Sequence, residues 1–399
     1  MARQIAAGID IGTYQVKAVI AEELQSADRV THKIIGRGTA ESRGMHHGYI
    51  TSSEEVSSAI SEAINQAEKT AGQKVKRAFV SIGGIGLSGI ISTASILISR
   101  ADLEVTERDK EEALRAAEAA IPQSLTQNRK IINTIPVEYK VDGKPVWGRV
   151  EGMKAQKLEV KALFITCLEH HLEDLIRAVE LSGIEVIDIV AAPIAASFVT
   201  LTKRQKKAGC LLANIGAETL SIVVFENGIP VSLEVFPIGS TDITNDIALG
   251  LKIPLDEAEN VKIGASPRTS FSKKKLDEII TARLKDCFEM IEAHLKKINR
   301  QALLPAGIML TGGGSGLALA KDLAEETLKL PSAVAEVHFG SEPSKGRESI
   351  WATAYGLAIL GFNAEDEQGS VGIKPLDKIR RSGKRGLRTL SDWFGKFLP

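Results

Sequence analysis

The chain has 399 residues, of which 44% are apolar and 25% are charged, a composition typical of a soluble globular protein with more than one domain. Lys and Arg total 50, as do Asp and Glu, which excludes a global basic field for nucleic acid. Three widely separated cysteines without CxxC spacing predict reduced thiols in a cytosolic protein. No signal peptide or membrane-length apolar run is recognisable, so we expect any membrane contact to be made from the cytosolic side.

The first recognisable segment is "AGIDIGTYQVKAVI", which predicts a strand, a tight turn and a second strand. Asp10 interrupts this otherwise apolar stretch, and a buried carboxylate without a partner is unfavourable. Gly12 permits close approach of the backbone, and Thr13 with its neighbouring amides can donate to phosphate oxygens. Asp10 is then placed to hold Mg²⁺, directly or through water. The alternative is an aspartate that only caps the hairpin.

A helix and a strand follow, and after them comes a block with a different pattern of apolar residues. The apolar spacing of residues 52–72 predicts a helix that ends at Gly72, and "KRAFVSIGG" predicts a buried strand. Residues 84–159 predict strands and one helix capped by Thr106, a block that interrupts the first domain. The chain then resumes with a helix and a strand in "HLEDLIRAVELSGIEVIDIV", and "AAPIAASFVTL" predicts a helix that joins two halves.

A second block, "GCLLANIGAETLSIVVFENGIPV", repeats the order of strand, Ile-Gly turn and strand. Asn214 takes the place of Asp10, and the turn amides with Gly216 and Thr219 again provide possible phosphate donors. The repetition predicts a duplicated α/β domain. A second insert, at about residues 246–300, is predicted to be mostly helical.

The segment "AGIMLTGGGSGLALAKDLAEETL" predicts a strand over 308–310, a glycine run at Gly312, Gly313 and Gly314, and a helix from about Leu317. Such glycines let a flat ligand or its sugar–phosphate lie against the backbone, near the positive end of a helix. The alternative is an ordinary turn between strand and helix. The segment matches neither a Walker loop nor a dinucleotide-binding fingerprint.

After Ala364 the sequence becomes polar and glycine-rich, which predicts a linker, and a short apolar and basic segment follows it. Residues 384–399 predict an amphipathic helix with Lys and Arg opposite an apolar stripe. Trp, Phe and Leu in that position suit the boundary between lipid headgroups and acyl chains. The stripe consists of Leu387, Leu390, Trp393, Phe394, Phe397 and Leu398. The alternative is a tail helix that docks on the protein's own core.

In this order, the two hairpins and the glycine run resemble the actin, sugar-kinase and heat-shock-chaperone superfamily, whose members bind ATP in a cleft between two domains. More narrowly, the chain resembles the FtsA family of bacterial actin-like cell-division proteins. The similarity is carried by "ESRGMHHGYITSSEEVSSAISEAINQAE", "NTIPVEYKVDG", the glycine run and the tail "LRTLSDWFGKF". It implies an α/β, actin-like two-domain ATPase fold with a nucleotide cleft and the FtsA-type inserted subdomain IC.

The resemblance also implies an order of subdomains and further site residues. Glu259 and Lys262, in "DEAENVKIG", would reach the ribose and base of the nucleotide, and Gly239 and Thr241 are weaker candidates nearby. An i, i+3 surface ion pair is the alternative for Glu259 and Lys262. The implied units are IA (1–83 and 160–205), IC (84–159), IIA (206–245 and 306–362), IIB (246–305), a flexible linker (363–383) and an amphipathic membrane-targeting helix (384–399).

Two departures from the superfamily pattern argue against efficient ATP turnover. Many ATP-hydrolysing members carry Asp where this chain has Asn214, and Asn lacks the charge that organises Mg²⁺ or polarises water. They also carry an acidic residue or Gln near the connecting helix, where this chain has Ala191, Ala192 and Pro193. We therefore expect at most a slow ATPase, in which Mg-ATP acts as a structural ligand that favours a polymer-forming state.

The resemblance implies FtsZ, filament self-association and anionic membrane lipids as partners, with no nucleic acid. The FtsZ C-terminal peptide is expected on the IIB helix, in a groove formed by Phe288, Ile291 and Leu295 beside the basic Lys296, Lys297 and Arg300. The alternative is that this apolar stripe belongs to the core. The expected location is peripheral, on the cytoplasmic face of the cell membrane at the septum.

Two other functions compete with a membrane tether for FtsZ. A small-molecule kinase of the same superfamily needs an Asp base near a substrate hydroxyl, and the sequence does not identify one. An actin-like scaffold of a type IV pilus or secretion assembly could also bind ATP and a short peptide. The Ser-Arg-Gly-Met segment and the amphipathic tail favour the tether.

Overall fold

The computed structural model describes residues 4–26, 29–265, 271–339, 342–343 and 347–368. The first part of the chain forms strands and one long helix: β1 (Ile5–Ile11), β2 (Gln15–Ser26), β3 (Arg29–Glu41), β4 (Met45–His46), β5 (Tyr49–Ile50), α1 (Ser53–Ala71) and β6 (Arg77–Ile82). The insert contains β7 (Ser88–Leu97), α2 (Glu107–Ala119), α3 (Gln123–Thr126), β8 (Arg129–Val141), β9 (Lys144–Val146) and β10 (Lys157–Leu168). The chain leaves the insert through α4 (Glu169–Leu181), β11 (Glu185–Ala191), α5 (Ala192–Thr200) and α6 (Lys203–Ala208).

The second half begins with β12 (Cys210–Ile215), β13 (Leu220–Glu226) and β14 (Ile229–Phe236), followed by α7 (Ser240–Leu251), α8 (Leu255–Lys262) and α9 (Lys273–Lys297). It continues with β15 (Ile308–Thr311), a 3₁₀ helix (Gly313–Gly316), α10 (Ala320–Leu328), β16 (Ser332–Val334), β17 (His338–Phe339) and β18 (Glu342–Pro343). A second 3₁₀ helix (Arg347–Trp351) leads into α11 (Ala352–Gln368).

Two five-stranded sheets repeat one topology, which agrees with the predicted duplication. Their strand orders are β3-β2-β1-β6-β11 and β14-β13-β12-β15-β16. In each sheet an antiparallel three-stranded meander comes first, and its first strand then pairs in parallel with a later strand, β1 with β6 and β12 with β15. The helical predictions between these strands also agree with the structure. In α1, Ser52 accepts a hydrogen bond from the amide of Glu55, and Gly72 ends the helix with φ +66°.

The insert has its own four-stranded sheet in the order β7-β10-β8-β9, and α2 packs on it over a separate apolar core. The predicted end of the insert at residue 159 is wrong as a structural boundary, because it falls inside β10. That strand pairs with β7 and β8 along its length and runs on to Leu168. Leu163, Ile165 and Cys167 at its far end join a different core, which the first sheet shares with one side of β12–β14. One strand therefore belongs to both units.

The last helix, α11, packs on the first sheet rather than on the second. Residues 352–362 had been assigned to IIA, but their helix packs against β1, β2, β6 and α5 of the first half, within a core that also includes residues of β12–β14. Close contact needs glycine on both surfaces: a Cβ on Gly8 would lie 2.5 Å from the carbonyl oxygen of Ala354, and a Cβ on Gly356 1.8 Å from that of Ala195. The chain thus crosses back to its first half after the second sheet.

The helix α11 also continues to Gln368, into the range 363–383 that was predicted as a linker. The sequence explains this extension, because no glycine or proline occurs between Phe362 and Gly369. The remainder of the linker and the predicted membrane helix at 384–399 lie outside the described residues. In the described part of the chain, no helix is long and apolar enough to cross a membrane.

Candidate nucleotide site

Asp10, the carboxylate that interrupts the first strand, has partners on both neighbouring strands. Its Oδ1 accepts a hydrogen bond of 2.9 Å from the hydroxyl of Ser81 on β6. Its Oδ2 lies 3.7 Å from Nζ of Lys17, which is the residue opposite Asp10 in the antiparallel register of β1 and β2. The turn itself is closed by the amide of Gly12, which donates to the carbonyl of Gln15 at 3.2 Å. Asp10 is therefore not the cap of this hairpin.

Lys17 is a site residue that the sequence analysis missed. Its side chain is only 12% exposed, so a second charge lies beside Asp10 at the edge of the site. The signal for it was available in the sequence, since a hairpin with a four-residue turn at 12–15 sets Asp10 opposite Lys17. A lysine beside a phosphate-type turn adds a positive point charge that suits an anionic ligand.

The second hairpin reproduces the first. The amide of Gly216 donates to the carbonyl of Thr219 at 2.9 Å, which repeats the closure between Gly12 and Gln15. Asn214 pairs with Thr311 on β15, as Asp10 lies beside Ser81 on β6. The turns at 12–15 and 216–219 are therefore equivalent positions of the duplicated unit, and each concentrates backbone amides in a small space.

The glycine run packs against the second hairpin. Gly312 has φ +83°, and a Cβ there would stand 2.2 Å from Asn214 Oδ1 and 2.7 Å from the carbonyl oxygen of Ile215. A Cβ on Gly314 would lie 2.4 Å from the side chain of Ile215, whereas one on Gly313 would meet no heavy atom of the described residues within 4 Å. The run forms a 3₁₀ turn first, and the helix begins at Ala320 rather than near Leu317.

Glu259 and Lys262 reach the same hairpin through the first turn of α7. The Lys262 ammonium lies 2.7 Å from the Glu259 carboxylate, and it donates to the carbonyl of Ser240 at 3.0 Å. The amide of Ser240 in turn donates to the carbonyl of Gly216 at 2.9 Å. The i, i+3 ion pair that was the alternative is therefore present, with the Lys262 side chain 7% exposed and that of Glu259 42% exposed.

The weaker candidates Gly239 and Thr241 also contact the second turn. A Cβ on Gly239 would lie 2.2 Å from the carbonyl oxygen of Ala217, and the amide of Thr241 donates to that oxygen at 2.8 Å. The structure thus brings together all predicted nucleotide-binding residues of the second half: Asn214, Gly216, Thr219, Glu259, Lys262, Gly312, Gly313 and Gly314.

Residues 42–50, which we call the bridging segment, touch both hairpin turns. The amide of Ser42 donates to the carbonyl of Tyr14 at 2.9 Å in the first turn. The amide of His47 donates to the Glu218 carboxylate at 2.5 Å in the second turn, and His46 Nδ1 lies 3.2 Å from the same carboxylate. The sequence analysis used this segment only as a mark of family. Its contacts show that the two turns lie near one another across the halves.

The predicted peptide groove on α9 is wrong. Phe288, Ile291 and Leu295 are fully buried in the core of the second half, as the alternative interpretation had it. Arg300 forms a two-pronged ion pair with Glu226, with one N–O distance of 3.0 Å, while Lys297 is exposed. Amphipathic spacing on a helix does not distinguish a core-facing stripe from a binding stripe, and here the sheet covers it.

The described residues contain no group of three or more His, Cys, Asp or Glu side chains that could hold a metal by themselves. The three cysteines are free and buried, in line with the predicted reduced thiols. At the end of β11 and the start of α5, Ala191, Ala192 and Pro193 bring no acid or amide side chain. Any cation at Asp10 would therefore need further oxygen ligands from a bound phosphate or water.

Two copies of this sheet topology, with a tight hairpin turn in each and a glycine run against the second, define an actin-like protein. The fold comparisons agree. A "PilM-PilN type IV pilus biogenesis complex" has a TM-score of 0.66 at 19% identity, covering 89% of this chain and 98% of that one. MreB5 of Spiroplasma citri bound to AMPPNP has a TM-score of 0.53 at 11% identity, covering 92% and 98%.

Sequence comparison identifies the family within this class. The model for "Cell division protein FtsA" matches residues 211–356, and that for the "SHS2 domain inserted in FTSA" matches residues 84–166. "Cell division protein FtsA" of Pseudomonas aeruginosa is 30% identical over 92% of this chain and 91% of that protein. The FtsA of Borreliella burgdorferi is 30% identical over 99% of both chains. The chain belongs to the FtsA family, as the sequence motifs predicted.

Proposed function

We propose that the space between the two hairpin turns binds Mg-ATP, and that the protein polymerises and tethers FtsZ filaments to the cytoplasmic membrane at the division septum. The observation that carries the nucleotide site is the convergence of both turns and the glycine run, with the bridging segment in contact with each turn. The relatives named as cell-division proteins support the cellular role. A structural neighbour with bound AMPPNP supports the ligand class.

Each predicted residue has a place in this site. The turn amides with Gly12 and Thr13 on one side, and with Gly216 and Thr219 on the other, would hold the phosphates, with Lys17 as a nearby cation. The run Gly312 to Gly314 would bear the adenosine, since a Cβ on Gly313 meets open space. Glu259 and Lys262 would reach the ribose and base. Asn214 would position the second turn against Gly312.

Asp10 fits a magnesium site of the kind that nucleotide-binding proteins use. Mg²⁺ commonly takes only one or two carboxylates and completes its octahedron with water and substrate phosphates. Asp10 is 14% exposed at the end of β1, and its hydrogen bond from Ser81 fixes the carboxylate orientation. Lys17 would balance the charge of Asp10 in the absence of the cation.

We infer that hydrolysis at this site is slow and that ATP acts mainly as a structural ligand. Asn214 occupies the position equivalent to Asp10 and brings no negative charge to the second turn. The apolar start of α5 provides no general base for an attacking water. A ligand that binds the closed arrangement better shifts the population toward it, so bound ATP would favour polymer formation.

For FtsZ we retain the helical block 246–305, assigned as subdomain IIB, but move the contact from a groove to its basic surface. Lys296 and Lys297 are exposed at the end of α9, and Arg300 follows them. An extended peptide with acidic groups would pair first with Lys297, because Arg300 is held by Glu226 and Lys296 lies 2.9 Å from Glu292. Phe288 would support the helix from the core and would not contact the peptide.

Membrane attachment is assigned to residues 384–399. A single short amphipathic helix binds weakly, because part of its burial free energy offsets the ordering of the segment. A polymer that presents many such tails binds far more firmly through effective concentration. Attachment would therefore depend on assembly, which links the nucleotide site to the membrane.

A scaffold of a type IV pilus assembly is the second candidate, because the PilM–PilN complex shares the fold over most of both chains. At 19% identity that likeness concerns the fold, whereas the FtsA relatives match at 30% over nearly the whole sequence. A small-molecule kinase would need a catalytic aspartate beside its substrate, and none has been identified among the described residues. Membrane tethering of FtsZ is therefore the function we favour.

Co-sedimentation with anionic liposomes tests the tether. Removal of residues 384–399, or Trp393→Glu with Phe397→Glu, should abolish pelleting of the protein with the vesicles and leave ATP binding intact. Arg388→Lys, which keeps the positive charge on the polar side of the same predicted helix, is the matched control and should pellet as wild type. Undiminished pelleting of the truncated protein would refute the tether mechanism.

A further inference from the structure

The bridging segment has a second set of contacts, which lie away from the hairpin turns. They are made with residues 84–88, which we call the insert root because they lead into β7. Gly48 and Gly84 have φ values of +79° and +88°, and a Cβ on Gly48 would lie only 2.4 Å from the Cα of Gly84. The amide of Ile85 donates to the carbonyl of His47 at 3.4 Å. Backbone therefore lies directly on backbone at the junction where the first half leads into β7.

The side chain of Tyr49 extends this junction. A Cβ on Gly86 would stand 2.6 Å from the Tyr49 hydroxyl, so the ring covers the glycine that precedes β7. On its other side Tyr49 meets the ring of the buried His171 edge-on, with centroids 5.0 Å apart. The segment is thus held between the insert root and α4.

The insert root is fixed to the insert sheet by Arg129. Its guanidinium donates to the carbonyl of Gly86 at 2.6 Å and to the Ser88 hydroxyl at 2.7 Å, and its Nε donates to the Thr166 hydroxyl at 2.9 Å. These bonds connect residues 86–88 to both β8 and β10. Displacement of the root would therefore carry the insert sheet with it.

On the opposite side, the bridging segment contacts Glu218 of the second half. Glu218 accepts from the His47 amide at 2.5 Å and lies 3.2 Å from His46 Nδ1, while its own carbonyl is 3.1 Å from His47 Nδ1. Glu218 is 23% exposed and stands in the turn between Gly216 and Thr219. The contact chain runs from this turn through His47, Gly84 and Gly86 to the insert.

We propose that this chain of contacts couples the position of the second turn to the orientation of the insert, so that occupancy of the site is transmitted to the insert surface. Glu218 acts as a positioning residue in this coupling, and the Gly48–Gly84 contact transmits the movement. The inference rests on the proposed nucleotide site for its ligand. The coupling itself needs only the contacts described, because packed elements shift together when their contact surfaces cannot deform.

Spin labels within the first half and its insert measure this coupling without reporting simple opening of the two halves. Trp147 in the insert is 80% exposed and Leu181 on α4 is 55% exposed, while the native cysteines are buried, so Trp147→Cys with Leu181→Cys gives two selective sites. Pulsed electron paramagnetic resonance then gives the distribution of distances between them. Glu218→Ala, in the other half, should broaden this distribution at least twofold in the nucleotide-free protein.

Two matched variants locate the path. Gly48→Ala should broaden the distribution although Glu218 is intact, because its Cβ would overlap Gly84. Gly72→Ala introduces alanine at a similar φ of +66° with no heavy atom within 4 Å, and should leave the distribution unchanged. Glu180→Ala, an exposed carboxylate on α4, is the control for charge removal.

Unchanged distributions in both Glu218→Ala and Gly48→Ala, with melting temperatures that show folded protein, would overturn the coupling. A change in Glu218→Ala alone would also overturn this route, since the direct packing of β14 on β7 could then account for it. Addition of Mg-ATP should narrow the wild-type distribution and not that of Glu218→Ala. If calorimetry shows no heat of Mg-ATP binding to the wild type, the proposed nucleotide site is contradicted. The distance distributions of the nucleotide-free wild type and variants would still decide whether the coupling exists.

Discussion

Gly312 gives the sharpest test of the packed glycine run, because the structure leaves no room for a side chain there. Its φ of +83° with ψ of 178° is a combination that favours glycine, so alanine at this position costs about 1–3 kcal/mol in backbone strain. The added Cβ would also stand 2.7 Å from the carbonyl oxygen of Ile215, which is held by strand pairing. Overpacking of this kind costs about another 1–3 kcal/mol.

We therefore expect Gly312→Ala to lower the free energy of unfolding by about 2–6 kcal/mol. A domain of this size loses roughly 2–4 °C of melting temperature for each kcal/mol, so the transition should fall by about 4–24 °C. Thermal unfolding followed by circular dichroism measures the change. Affinity for Mg-ATP should fall at least tenfold, because the second turn is displaced with the run.

Gly313→Ala is the matched control for this prediction. Within the described part of the chain its Cβ would meet no heavy atom within 4 Å, and its backbone is not left-handed, so its melting temperature should equal that of the wild type. If Gly312→Ala melts within 1 °C of the wild type (roughly 0.5 kcal/mol at this slope), the packing of the run against β12 is not as described.

Three further predictions concern pH, turnover and peptide binding. Burial lowers the pKa of His171 and of His294 to about 4. Below pH about 6.5 the unfolded chain therefore binds more protons than the folded one, and the free energy of unfolding should fall by up to ~1.4 kcal/mol per pH unit for each histidine as pH drops toward 4. Equal urea midpoints at pH 7 and pH 5 would contradict this. Steady-state ATP turnover should be at least a hundredfold below the roughly 1–100 per second of kinases, and a kinase-like rate would contradict the structural role of ATP. Lys297→Glu should weaken binding of the FtsZ C-terminal peptide severalfold, measured by fluorescence anisotropy. Phe288→Ala should instead lower the free energy of unfolding by about 3–5 kcal/mol and leave peptide affinity unchanged. Equal peptide affinity in Lys297→Glu and the wild type would place the site elsewhere.

The sequence predicted those parts of the fold that depend on local pattern. The duplicated hairpins were visible because the strand, Ile-Gly turn and strand recur around Asp10 and Asn214. The helix capped by Ser52 and Gly72 has both a start and a stop signal. The glycine run was predicted to let a ligand lie against the backbone, and in the structure Gly312 and Gly314 approach Asn214 and Ile215 instead, which leaves Gly313 for the ligand.

The sequence did not predict which distant segments would pack together in the fold. The β10 strand serves two cores, so no change of composition marks a boundary at 159 or at 168. The stripe on α9 has the same spacing whether it faces a peptide or the sheet, and Phe288 proved to be core. The contact between His47 and Glu218 joins residues 171 positions apart, through a backbone amide that no residue pattern reveals.

Calorimetric titration of Mg-ATP into the wild type and into Gly313→Leu tests the nucleotide site most directly. A Cβ on residue 313 meets no heavy atom of the described residues within 4 Å, so we expect the variant to fold and its leucine to extend toward the space that the adenosine is proposed to occupy. The account predicts one binding event in the wild type and at least a tenfold weaker affinity in Gly313→Leu at an unchanged melting temperature. Absence of binding in the wild type, or equal affinity in the two proteins, would contradict it.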